Sequence, residues 1–122
     1  MPCLFCKIIA GEIPSKKVFA DDLTYAFRDI NPQAPTHVLI VPRKHIGSLA
    51  EAGVDDQDLL GYLHLIAARI ASIEGLSNGF RTVVNTGNDG GQTVDHLHVH
   101  LLGGRAMGWP PGKRCWGPAI CC

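Results

Sequence analysis

Charge imbalance, long apolar runs and an even set of cysteines are all missing from this chain. Its 122 residues carry 11 Lys and Arg against 11 Asp and Glu, a formal net charge of zero. Without a basic field, a nucleic-acid groove or an anionic membrane surface is a poor partner. No 18-residue apolar stretch occurs, so a transmembrane helix is not expected. The opening segment Met1 to Lys7 has no basic stretch followed by a long apolar core. A secretory signal is therefore not expected, and the compartment should be the cytoplasm, or also the nucleus where there is one. Five cysteines are an odd number, and in a reducing compartment they read as thiols or metal ligands rather than a disulfide framework.

Neither an internal repeat nor a low-complexity linker divides the sequence. The length suits one domain able to bury its own core. Residues 1–112 are expected to form it, with residues 113–122 as an irregular tail rich in Gly and Pro. Residues 3–10 read as a short amphipathic turn or helix stopped by Gly11. Val18 to Ala20 and Thr24 to Arg28 read as two strands around an Asp21-Asp22 turn, and His37 to Val41 as a central strand ended by Pro42. Leu59, Leu63, Ile66, Ile70 and Ile73 draw one apolar stripe on a helix spanning Asp56 to Glu74. Asp55 is its expected cap and Gly75 its stop. A strand from Phe80 to Asn85 and a glycine-rich loop from Gly87 to Thr93 follow. The order of elements suggests an α+β fold, an antiparallel sheet with helices packed on one face.

The chemistry concentrates in His96-Leu97-His98-Val99-His100-Leu101-Leu102. Histidines alternating with apolar residues have the period of a strand, so the three imidazoles are expected on one face with Leu97, Val99 and Leu101 behind them. The preceding loop, Gly87-Asn88-Asp89-Gly90-Gly91-Gln92-Thr93, contains three glycines and can turn its backbone toward an anion. An anion held beside an imidazole suits phosphoryl or nucleotidyl chemistry.

These residues resemble the signature of the histidine triad (HIT) superfamily. The similarity extends over Asp29 to His37, Val41 to Ile46, Asn85 to Thr93, Leu102 to Arg105 and Trp109 to Gly112. Within the superfamily the chain looks like the Hint branch, the purine nucleoside phosphoramidases. The resemblance implies a HIT-like sheet of about five strands carrying one long and one short helix. It implies that His98 attacks the α-phosphorus of a purine nucleoside phosphoramidate and forms a covalent nucleotidyl-histidine. Water then releases the nucleoside monophosphate. His96, His100, His37 and Thr93 complete the implied catalytic set. For the nucleotide it implies Asp29 at the ribose, Phe5, Ile8, Ile13, Phe27 and Ile30 around the base, and Asn85, Gly91, Gln92 and Thr93 at the phosphate. It also implies a homodimer, with Trp109 reaching toward the partner's site. His100 at the third triad position, where related transferases carry glutamine, favours hydrolysis.

Catalysis of this kind needs no cofactor. Cys3-Leu4-Phe5-Cys6 nevertheless has metal-ligand spacing. Some members of the superfamily complete such a pair with residues that correspond to His45 and His96, which would give a structural zinc site. The other reading is two small buried thiols. Three further functions compete: a dinucleoside polyphosphate hydrolase, a nucleotide-binding scaffold for regulatory proteins, and a hydrolase with a metal on the three triad histidines.

Overall fold

The computed structural model describes residues 3–112, and the tail expected at residues 113–122 lies outside them. Strands β1 (Lys17–Ala20), β2 (Thr24–Arg28) and β3 (Thr36–Pro42) follow a short helix, α1 (Leu4–Ile9). The long helix α2 (Gln57–Ile73), β4 (Phe80–Val83), a one-turn helix α3 (Gly87–Gly90) and β5 (Val99–Gly103) complete the chain. The sheet is antiparallel throughout, in the order β1-β2-β3-β5-β4, so β3 is central as expected. No helix among the described residues is long and apolar enough to cross a membrane.

Period-two alternation divides the core between the two faces of the sheet. Ala26, Val38, Ile40, Val99 and Leu101 point one way and meet Leu63, Ile66, Ala67, Ile70 and Ala71 of α2. Phe27, Leu39 and Val41 point the other way and meet Phe5 and Ile8 of α1. The helices therefore lie on opposite faces, not on one as the element order suggested. Alternation along β3 is the reason: its run from Val38 to Val41 is buried at every position, so both faces need a cover.

Side-chain oxygens and a left-handed glycine set the connections. Asp21 Oδ1 accepts the amides of Leu23 and Thr24 at 3.0 and 2.8 Å, closing the β1–β2 turn. Gly75, at φ 75°, ends α2 with its N–H on Ser72 O while Leu76 N–H reaches Ala71 O. Two details of α2 differ from the sequence reading. The helix follows a 3₁₀ turn, Val54–Asp56, so its N-cap is Asp56 rather than Asp55. The Asp56 carboxylate is drawn back to Gly53 N–H at 2.9 Å and Lys44 Nζ at 2.6 Å. At the other end Ile73 is exposed, and Ala67 and Ala71 take its place in the buried stripe. At about 100° per residue, Ile73 falls roughly 90° from the centre of that face.

The two positions should separate in stability. Ile70→Ala should cost about 2–5 kcal/mol in urea unfolding, the range for a fully buried residue. Ile73→Ala should stay within about 0.5 kcal/mol. Equal costs would contradict the stripe described here.

Candidate active site

β5 is shorter than the histidine pattern suggested. It begins at Val99, so only His100 of the three histidines lies within a strand, and His96 sits in a bend. The cause is the ring of His96. It is fully buried and turned away to Pro42, whose carbonyl oxygen lies 2.8 Å from Nε2. A carbonyl only accepts, so Nε2 carries the proton and Nδ1 keeps its lone pair. Leu97, Val99 and Leu101 still pack behind, in the α2-side core, as expected.

His98 takes the opposite tautomer. Its Nδ1 lies 2.7 Å from the carbonyl oxygen of His96, so Nδ1 carries the proton and Nε2 presents a lone pair. The ring is 5 % exposed and meets Phe5 edge-on, with centroids 5.1 Å apart and planes at 90°. His100 follows at 5.0 Å between centroids.

A chain of bonds fixes the next two rings. The Gln33 amide donates to His37 Nδ1 at 3.0 Å, which leaves the proton of neutral His37 on Nε2. That proton is shared with His100 Nδ1 at 2.9 Å and with Asp29 Oδ2 at 3.4 Å. Nδ1 of His100 is then the acceptor, and its Nε2–H is a free-pointing donor. Burial is the main cause that lowers the pKa of His37, against the raising effect of Asp29. Burial, then the neighbouring His98 and His37, pushes His100 down to about 4. His96 is lowered too, again chiefly by burial. These three rings are therefore neutral near pH 7.

Two groups of metal-capable side chains converge among the described residues: Cys3, Cys6, His45 and His96, and Asp29, His37 and His100. The first fits a tetrahedral ion. His96 Nδ1 lies 3.4 Å from Cys3 Sγ, 3.6 Å from Cys6 Sγ and 3.2 Å from His45 Nδ1, and Cys6 Sγ is 3.4 Å from His45 Nδ1. Zinc bonds of about 2.0–2.3 Å at tetrahedral angles require edges of about 3.3–3.8 Å. Two sulfurs and two imidazoles are also the donor set zinc favours. The second group does not fit, because the Gln33 N–H forces the proton onto the ligating nitrogen of His37. Nor do His96, His98 and His100 converge, since His96 faces the cysteines. This removes the geometric basis for a metal held by the three triad histidines.

The other expected residues are distributed around this centre. Phe5, Ile8 and Phe27 are buried in the α1-side core, Ile13 packs beside them, and Ile30 is fully exposed. Asp29 closes a turn with Oδ1, which accepts Asn31 N–H at 2.8 Å, and faces His37 with Oδ2. Asn85 and Trp109 line one cleft, with Trp109 85 % exposed and the preceding Gly108 carbonyl held by Arg81 Nη2 at 2.9 Å. Thr93 lines a separate cleft with Cys3, Cys6 and His45. The amides of Gly91 and Gln92 are spent inside the loop, on Asn88 O and Gly87 O.

Two residues, Gln33 and Pro42, escaped the sequence reading, as did the structural role of Gln92. The Gln92 side chain ties Gly87 N, Gly47 O and Val94 O together at 3.0, 2.7 and 3.0 Å. The Gln33 amide and the Pro42 carbonyl orient histidines. All of these bonds use backbone atoms, which leave no mark on residue type.

The sequence model of the HIT domain family matches residues 10–107. An uncharacterized HIT-like protein of Synechococcus elongatus is 57% identical over 109 residues, covering 89% of this chain and 96% of that protein. A 14 kDa zinc-binding protein of Zea mays is 54% identical over 113 residues, covering 91% of this chain and 88% of that protein. Among solved structures, a HIT family hydrolase of Legionella pneumophila superposes with a TM-score of 0.89 at 54% identity, covering 91% of this chain and 100% of that one. A histidine triad nucleotide-binding protein of Candida albicans gives 0.77 at 34% identity, covering 93% and 86%.

The neutral, buried histidines carry a pH signature. A His100 pKa of about 4 lies below the ordinary value near 6.5. The unfolded chain then binds the extra proton first, so stability is full above about pH 6.5 and falls as the pH drops toward about 4. Urea midpoints followed across that window should decline, and His100→Gln should decline less steeply. An identical slope in the variant would contradict the assignment.

Proposed function

The chain belongs to the HIT domain family, and from that premise we propose that it is a nucleotide hydrolase that cleaves the P–N bond of purine nucleoside phosphoramidates. One observation carries the reading: the His98 Nδ1 proton is committed to the His96 carbonyl, so the Nε2 lone pair is the free, nucleophilic end of the ring. Nε2 attacks the α-phosphorus, the P–N bond breaks and the amine leaves with a proton taken from solvent, assisted by the hydroxyl or backbone N–H of Thr93; the hydrolysis step returns one proton to solvent. The nucleotidyl-imidazole that forms is cationic, and the carbonyl on its Nδ1–H stabilises that charge. Water then breaks the P–N bond to His98 and the nucleoside monophosphate departs.

The surrounding residues take roles their chemistry suits. His100 offers Nε2–H to a phosphate oxygen, with His37 behind it fixing the tautomer. Asp29 receives the ribose hydroxyls. Phe5, Ile8, Ile13, Phe27 and Ile30 enclose the purine. Asn85 and the amide and hydroxyl of Thr93 hold phosphate oxygens, while Gly91 and Gln92 shape that loop. His96 acts through its carbonyl and as a ligand of the Cys3, Cys6, His45 cluster. Bound there, a structural zinc ion would pin α1 to the sheet and supply no chemistry to the reaction. The free thiols Cys3 and Cys6 fit a reducing, cytoplasmic setting.

A homodimer completes the proposal. β4 is an edge strand with Phe80 half exposed, and exposed Trp109 is an interface-type anchor. Gel filtration should give twice the 13.1 kDa chain mass, and a monomer would count against the pairing.

Mass spectrometry of protein quenched during turnover should find a nucleoside monophosphate on His98, and His98→Ala should lower turnover by about 10⁴-fold or more. Steady turnover without an adduct would sink the mechanism. Faster cleavage of a diadenosine polyphosphate than of an adenosine phosphoramidate would favour the polyphosphate hydrolase instead. Full cellular activity of His98→Ala would favour the scaffold.

A further inference from the structure

We propose that Cys3 and Cys6 are a redox modification site, at which a peroxide forms a disulfide that removes two of the four metal ligands and loosens the nucleophile. The effect on nucleotide binding rests on the hydrolase reading above. The oxidation itself does not.

The geometry permits the bond. Cys3 is the N-cap of α1, in extended backbone, and its sulfur lies 3.4 Å from the amide of Cys6. The two sulfurs already lie within 4.8 Å of one another. A disulfide needs about 2.05 Å, and cysteines three residues apart across a first helical turn reach it by side-chain rotation, as C-x-x-C pairs do. Access is open as well. Both cysteines are half-buried and line a cleft of ≈ 550 Å³ with His45 and Thr93. A peroxide molecule fits there with room to spare.

The chemistry balances with peroxide as the named oxidant. One thiolate attacks a peroxide oxygen, so an S–O bond forms, the O–O bond breaks and hydroxide leaves. The second thiolate attacks that sulfenic sulfur, so the S–S bond forms, the S–O bond breaks and a second hydroxide leaves. Two protons convert the hydroxides to water. The two sulfurs supply the two electrons that reduce the peroxide, and a dithiol returns them.

Disulfide formation leaves His45 and His96 as two of four donors, too few to hold a tetrahedral ion tightly. The consequence reaches His98 along two paths. Phe5 sits between the two cysteines, with its ring against His98 at 5.1 Å and against His96 at 6.0 Å. His96 loses the two thiolates beside Nδ1, keeping His45 there, and its own carbonyl holds the His98 proton.

The test uses the full chain, reduced and zinc-loaded, titrated with hydrogen peroxide. Trypsin cuts after Lys7, so Cys3 and Cys6 share one peptide, apart from Cys115, Cys121 and Cys122. That peptide should become lighter by two hydrogens as about one zinc per chain passes to a chromogenic chelator. AMP affinity by calorimetry should fall by about fivefold or more. Dithiothreitol with added zinc should restore all three readings. Peptide that gains oxygen without a disulfide, zinc retained after the disulfide forms, or unchanged AMP affinity would each overturn the proposal. A reduced chain that does not bind AMP would overturn the gating and the hydrolase reading together, while peptide mass and zinc release would still decide the oxidation.

Discussion

The hydrogen bond from His98 Nδ1–H to the carbonyl of His96 is the constraint on which the site depends. It converts a flexible, two-tautomer ring into one with a single free lone pair. The bond holds only because His96 is itself fixed, with Nε2–H on Pro42 and Nδ1 facing two sulfurs and His45. Pro42 closes β3 and Val99 opens β5, and these strands pair in register from Thr36 with Gly103 to Ile40 with Val99. The register of the central strands thus sets the nucleophile through one fully buried imidazole.

A second set of backbone bonds orders the remaining rings without adding charge. Gln33 N–H points His37, and His37 points His100. Burial lowers the pKa of both His37 and His100, so these two rings meet on one face as neutral groups without mutual repulsion. The same face carries Phe27, Leu39 and Val41, with α1 as its cover. The opposite face and α2 form an apolar support. Cover and support differ in how they are attached. α2 rests on a broad buried stripe, whereas α1 has six residues and is tied through Cys3 at its N-cap and Cys6 within it as well as through Phe5 and Ile8.

Much of this was readable before the structure. The β-branched run from His37 to Val41 marked the central strand, and the spacing of Leu63, Ile66 and Ile70 marked α2. The convergence of Cys3, Cys6, His45 and His96 was legible through family resemblance, since spacing alone joins Cys3 to Cys6 but says nothing of His45 or His96. What escaped had physical causes. A period-two pattern does not reveal that His96 leaves the strand, because its attraction to Pro42 acts across 54 positions. The faces chosen by α1 and α2 depend on which side of β3 each can cover. A helical turn inside Gly87–Gly90 and the three-way bond of Gln92 involve glycines and backbone atoms that carry no side-chain signal.

The tautomer of His98 is directly observable. Two-bond ¹⁵N–¹H correlation spectra of the neutral ring distinguish a protonated nitrogen from a bare one. A protonated Nδ1 and a bare Nε2 at His98, with the reverse at His96, is the expected result. A proton on Nε2 of His98 would leave that nitrogen without a lone pair for attack and would contradict the central claim.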